Sequence, residues 1–190
     1  MIQHKTELLL MSKAHVANLL PMLQWELHPG SYLEAWLSKG ELKVRIYSSQ
    51  LDKASMRIVR SEAFDSDIQV IAGTLIDHRF RTSAQIGPRY RQLAVQPDGR
   101  LEIRDPVNLV PGQTEVRVRN DSFHVPAGTR HWLESYFAVV LMAVGDEKTG
   151  VSTVCWLHDV PFQIGPLSPS PLLWQPILEQ ARNALLETLS

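Results

Sequence analysis

A single cysteine, Cys155, in 190 residues excludes an intrachain disulfide. So few thiols suit a reducing compartment. Cys155 lies in the apolar run Val154-Cys-Trp-Leu157 and reads as a buried, inert thiol rather than a nucleophile. No uninterrupted apolar run reaches the length of a membrane span, so no membrane partner is expected. Glu7 precedes the first apolar run and no small-residue cleavage site follows it, so the N-terminus does not read as a signal peptide. The expected location is the cytoplasm. Charge of neither sign is in excess: 19 Lys and Arg against 20 Asp and Glu give a net charge of -1. That balance argues against a nucleic-acid partner, which selects a basic excess. The arginines at Arg57, Arg60, Arg79, Arg81, Arg89 and Arg91 read first as a solvated strand face, with a local anion site as the alternative. There is no phosphate-cradling glycine loop, no paired-cysteine motif and no nucleophile elbow.

What is present describes one globular domain over residues 1–190, with 44% hydrophobic and 21% charged residues and enough chain for a real core. It divides into a helical N-terminal extension (1–40), a β-barrel (41–160) and a C-terminal helix (172–188). In residues 5–25, Leu8, Met11, His15, Asn18 or Leu19, and Met22 recur at helical spacing, and Pro21 kinks or ends that helix. Ser31 is placed to cap a short helix over Tyr32–Ser38, with Gly40 at its end. Leu42-Lys-Val-Arg-Ile-Tyr47 alternates apolar and polar residues, as a half-buried strand does.

From 55 to 160 the period is mostly two. The strands expected are 56–60, 68–76, 90–95, 101–103, 115–119, 122–125, 132–135, 137–144 and 153–157. Gly87-Pro88, Pro97-Asp-Gly99, Pro111-Gly112, Pro126-Ala-Gly128 and Gly145-Asp146 separate them as turn signals. Many short strands without helical crossovers predict an all-β, antiparallel barrel or jelly roll. Residues 161–171 read as a proline-rich loop. After it, Leu173, Ile177, Ala181, Leu185 and Leu189 mark one face of the last helix.

Within this pattern, Asp121-Ser-Phe-His-Val-Pro-Ala-Gly-Thr-Arg-His131-Trp resembles the second motif of the cupin superfamily. Pro126, Gly128 and His131 match it, Asn120 stands where the motif has a glycine, and Ser135 where it has an asparagine. The resemblance implies a cupin-like antiparallel β-barrel (an RmlC-like jelly roll) with flanking N- and C-terminal helices. It also implies an inward-facing His131 that binds a divalent metal such as iron. The counterpart of the first motif is Ile58–Leu75, where Phe64, Ser66, Val70 and Gly73-Thr-Leu75 resemble the cysteine-dioxygenase-like branch. That motif carries histidines at the positions of Val59 and Ser61. A valine cannot bind a metal and a neutral serine is a poor ligand, so a metal set here needs His78, His124 or Glu62, with Asp65 as a further carboxylate. A tight hairpin at Pro126–Gly128 would bring His124 close to His131.

Three functions follow as expectations. The first is a divergent barrel that binds a small polar ligand in its interior, contacted by His124, His131 and Arg79, with Trp132 at the barrel mouth. The second is an iron-dependent dioxygenase similar to thiol dioxygenases, its metal on His131. The third is a non-catalytic interaction protein. The missing first-motif histidines favour the first. Exposed sheet edges and the spare aromatics Trp25, Trp36 and Trp174 predict a homodimer. His4, His15 and His28 read as surface or packing residues, and His158 as a strand-end hydrogen-bonding group beside Asp159.

Overall fold

The computed structural model describes residues 11–28, 32–51, 58–148, 150–157 and 174–187. The strands are β1 (Glu26–His28), β2 (Tyr32–Ser38), β3 (Leu42–Ser48), β4 (Val59–Ser61), β5 (Phe64–Ser83), β6 (Arg89–Val95), β7 (Leu101–Val118), β8 (Ser122–Val125), β9 (Arg130–Glu134), β10 (Phe137–Glu147) and β11 (Ser152–Leu157). Helices α1 (Lys13–Leu19) and α2 (Gln175–Leu186) flank them. Every described pairing is antiparallel, as the absence of helical crossovers predicts. No helix among the described residues is long and apolar enough to cross a membrane.

The long strand β5 organises the molecule. Its first half pairs with β10 on one edge and β8 on the other, in a sheet ordered β1-β2-β3-β10-β5-β8. Its second half pairs with β7 and β9, and the path β5-β7-β6-β11-β4-β9 returns to β5 as a closed ring. The strand changes sheet at Gly73, whose φ is +75°. A side chain there would run into the backbone of Phe137 and Ala138 on β10, so only glycine permits the bend.

Three apolar layers result. Helices α1 and α2 cover the outer face of the open sheet, with Val16, Leu20, Ile177, Ala181 and Leu185 against Val44, Ile46 and Leu141. Of the predicted stripe on the last helix, Ile177, Ala181 and Leu185 form its buried face, and Leu173 and Leu189 lie outside the described residues. A second layer lies between open sheet and ring, and includes Ile68, Val70, Leu75, Phe123, Leu133 and Val140. The third fills the ring, to which all six strands contribute: Val59, Phe80, Tyr90, Leu109, Trp132 and Cys155. Burial pushes the Cys155 thiol above its ordinary pKa, which keeps it protonated and unreactive.

The structure corrects two expectations. Tyr32–Ser38 is strand β2, not a helix, so the N-terminal 1–40 segment is only partly helical. Gly40, at φ +85°, turns a β2–β3 hairpin instead of ending a helix. Long-range pairing overrides the weak local helix signal of Leu-Glu-Ala-Trp-Leu. The first helix stops at Leu19, and Pro21 sits in the following 3-10 turn, Leu20–Met22. The second correction concerns Pro111-Gly112 and Gly145-Asp146, which are bulges inside β7 and β10, not turns. The register slips there, and Gly112 and Gly145 approach the carbonyls of Arg79 and Asp65. The strands expected at 101–103 and 115–119 are therefore largely the two ends of one strand. Ser31, His4, His158, Asp159 and the 161–171 loop lie outside the described residues.

Candidate functional site

Residues paired across antiparallel strands share a face, and neighbours in sequence alternate. Arg60 on β4 pairs with His131 on β9, and His131 pairs with Arg79 on β5. These three, with Asp77 and Leu133, face the space between ring and open sheet. Val59, Ser61, His78, Phe80 and Trp132 face into the ring. Val59 packs beside Tyr90, Leu109 and Cys155, and the Ser61 hydroxyl is 2.6 Å from that of Thr153. The two positions where the cupin resemblance places histidines therefore look away from His131.

The other proposed metal ligands are dispersed as well. His78 stacks on Trp132, with ring centroids 4.6 Å apart, and contacts Glu134 at 3.0 Å and Thr114 at 3.2 Å. Turn 126–129 joins β8 to β9, but these strands pair with different halves of β5 and not with each other. His124 is paired with Asp67, on the face opposite Phe123 and Ile68, and the two hold each other at 2.9 Å. A hairpin that brings His124 to His131 does not form. Glu62 lies 3.5 Å from Arg45. Among the described residues no three His, Cys, Asp or Glu side chains converge to hold a metal ion, so the donors at hand do not fit the metal site the resemblance implies. Asn120 does accept the role of the glycine it replaces: its φ is +76°, a left-handed conformation that asparagine tolerates better than most residues.

What gathers around His131 is a polar pocket. The β2–β3 hairpin puts Tyr32 opposite Tyr47 and Glu34 opposite Arg45 on its inner face, while Leu33, Val44 and Ile46 face the helices. Tyr32, Arg45, Tyr47, Arg60 and His131, with the apolar Ile58, Trp132 and Leu133, line a cavity of about 20 Å³, room for a water or a small ion. Arg60 donates from Nη1 to the Tyr32 hydroxyl at 2.7 Å. The guanidinium carbons of Arg45 and Arg60 lie 4.9 and 5.1 Å from the Tyr32 ring centre, cation–π distances. Arg45 Nε donates to Glu34 at 2.5 Å and Lys43 Nζ to the other Glu34 oxygen at 2.7 Å.

Among the described residues around the pocket, Lys43, Arg45 and Arg60 outnumber Glu34 and Glu62 by one positive charge. Burial disfavours the Glu34 carboxylate, but Arg45 and Lys43 outweigh it and hold that carboxyl well below its ordinary range. The same competition, with Arg45 and Arg60 as the winning charges, lowers Glu62. Desolvation raises both tyrosine hydroxyls, which keeps them neutral hydrogen-bonding groups. His28 stacks on Tyr32 at 5.1 Å, and burial lowers its pKa to about 4, so it stays uncharged near neutrality.

Behind His131 stands Asp77, which is fully buried. Its Oδ1 is 3.7 Å from His131 Nδ1, and its Oδ2 accepts from Arg79 Nε at 3.0 Å. Burial works against the charge of Asp77, but His131 and Arg79 more than compensate and lower its pKa. Arg79 also reaches the His124 carbonyl at 3.5 Å, tying β5 to β8. At 3.7 Å the His131–Asp77 contact is too long for a hydrogen bond, and Nδ1 and Oδ1 are buried atoms without a hydrogen-bond partner among the described residues. Of the residues singled out from sequence, this site uses His131, Arg60, Arg79 and Glu62, with Trp132 at its margin. Sequence reasoning missed Tyr32, Arg45, Tyr47 and Asp77. The alternation in Leu42–Tyr47 was the available signal, but it marks the polar side as solvated when β4 and β9 in fact cover it.

No family model matches the chain, and no curated protein matches it. Among solved structures it is similar to CENP-C of Drosophila melanogaster bound to CAL1, at 11% identity over 66% of this chain and 83% of that one, with a TM-score of 0.36. It is similar to an 11S globulin from Wrightia tinctoria, described with an auxin binding site, at 12% identity over 64% of this chain and 30% of that one, with a TM-score of 0.38. A cupin superfamily protein from Desulfitobacterium hafniense is similar at 10% identity, over 67% of this chain and 88% of that one, with a TM-score of 0.34. Likeness this distant assigns the chain neither a family nor an activity.

Proposed function

We propose that this is a divergent cupin-like barrel protein that holds a small anionic ligand between ring and open sheet. Arg60, Arg45 and His131 are its contacts. The observation that carries this reading is the excess positive charge on a small, largely buried pocket: two guanidinium groups, an imidazole and two neutral phenols converge on space for a few atoms. Such donors suit an oxyanion, and burial strengthens their hold on it. Arg79 supports the site through Asp77 instead of touching the ligand. Arg60→Gln keeps a hydrogen-bonding side chain but removes the charge, and one charge-assisted hydrogen bond contributes about 1.5–3 kcal/mol. Formate and nitrate should therefore bind the variant about 10- to 150-fold more weakly in calorimetric titration. Equal affinity in variant and parent would place the anion elsewhere or nowhere.

Self-association is a second reading. Trp25 and Trp174 pack against the helix-covered core, so they do not supply its surface. Ile103, Val116 and Val118 on β7 are exposed apolar side chains that a second copy of the chain would cover. Light scattering at micromolar concentration should report about twice the 21.5 kDa chain mass. A single-chain mass that persists as concentration rises rules the dimer out.

A further inference from the structure

The geometry around His131 leads us to infer that anion binding at this pocket takes up one proton, which His131 holds between the anion and Asp77. This inference rests on the anion-pocket reading above and assigns Asp77 as the positioning residue.

A neutral imidazole has one N–H donor and one acceptor nitrogen, whereas the imidazolium ion has two donors. Asp77 approaches Nδ1 of His131, which leaves Nε2 for whatever occupies the pocket. An anion there would put negative charge on both sides of the ring. The neutral ring can donate to one of them only. The imidazolium donates to both, and each negative charge favours it.

Among the described residues, the charged and titratable neighbours are Asp77 and Arg79 from β5, Arg60 from β4 with Glu62 just after it, Arg45 and Tyr47 from β3, and Tyr32 from β2, with Glu34 of β2 bonded to Arg45. A bound monoanion adds negative charge on the Nε2 side, opposite Asp77 on the Nδ1 side, so the balance moves toward the proton when the anion arrives. The unpartnered Nδ1 and Oδ1, both buried and 3.7 Å apart, fit this arrangement: a shift of less than 1 Å would close them into a charge-assisted hydrogen bond. Asp77 is fixed for this by Arg79, which holds its other oxygen. The proton comes from solvent, and no covalent bond changes.

Nitrate is a suitable probe, because it is planar, small and does not titrate between pH 5 and 9. Titration calorimetry of the full chain in chloride-free buffers of differing ionisation heat measures affinity and proton uptake together. The expected result is about one proton taken up per nitrate on the alkaline side, with affinity falling about tenfold per pH unit there. His131→Gln should still bind nitrate, but with no proton uptake from this site and a flat pH profile. Asp77→Asn should confine the uptake to lower pH. Because Asp77 is buried and its replacement costs stability, ring-nitrogen chemical shifts of His131 in the unmodified protein serve as the second measurement; they should report protonation when nitrate is added. Nitrate bound without proton uptake overturns the inference and leaves the anion pocket standing. So does an uptake that persists in His131→Gln. Failure of the unmodified protein to bind nitrate or formate at any pH overturns both.

Discussion

Arg45→Met should destabilise the fold by about 3–5 kcal/mol, because it strands a buried carboxylate. Arg45 is 4% exposed and stands between Glu34 and Glu62. Without it, Glu34 keeps Lys43 alone, and Glu62 loses its nearest cation. Urea unfolding at pH 7 measures the loss, and a deficit under 1 kcal/mol would mean that solvent reaches these groups. Arg45→Met combined with Glu34→Leu should recover most of the stability, since replacing a buried pair by apolar residues costs little. The pH dependence has a definite sign. The folded-state pKa of Glu34 is lowered from 4.5, so its contribution is complete above that value and is lost as pH falls through the folded value. The deficit of Arg45→Met should therefore be largest near neutrality and shrink below about pH 4.5.

Gly73→Ala is expected to cost about 3–5 kcal/mol, combining left-handed strain with a forced backbone collision. The methyl group would meet the Phe137 carbonyl and Ala138 on β10, neither of which can rotate away. Gly99→Ala is the matched control. Gly99 also has a positive φ, +81°, but a methyl group there meets nothing within 4 Å. It should cost about 1 kcal/mol, the strain alone. Thermal unfolding of both variants separates the two contributions. Similar losses would show that the β5–β10 crossing is looser than its geometry.

The antiparallel class and the last helix were legible because they rest on local pattern: short apolar-rich strands such as Tyr90–Val95 and Phe137–Val144 set off by turn residues, and the Ile177, Ala181, Leu185 stripe. The helix expected at Tyr32–Ser38 fails because β3 supplies pairing that no local pattern contains. The bulges at Gly112 and Gly145 carry the same residues as turns, and only the partner strand distinguishes them. For the site, His131 stood out through a motif. Arg60 and Arg79 stood out through the arginine cluster, but Arg45 and Asp77 did not, because their meeting with His131 depends on β5 changing sheets. Face was the decisive unknown. In the sequence Val59 and Ser61 read as lost ligands, yet the Arg60–His131 pairing turns both away from His131.

The helices that cover the open sheet come from opposite ends of the described chain, α1 before every strand and α2 after them. On the ribosome, the sheet is translated complete while part of its cover is still unmade. Val44, Ile46 and Leu141 then lack Ile177, Ala181 and Leu185 until translation reaches α2. Domains fold as units during synthesis, and apolar surface exposed in the interval invites aggregation. A nascent chain stalled before α2 should therefore be protease-sensitive and a client for chaperones, and release of a few more residues should end both conditions at once.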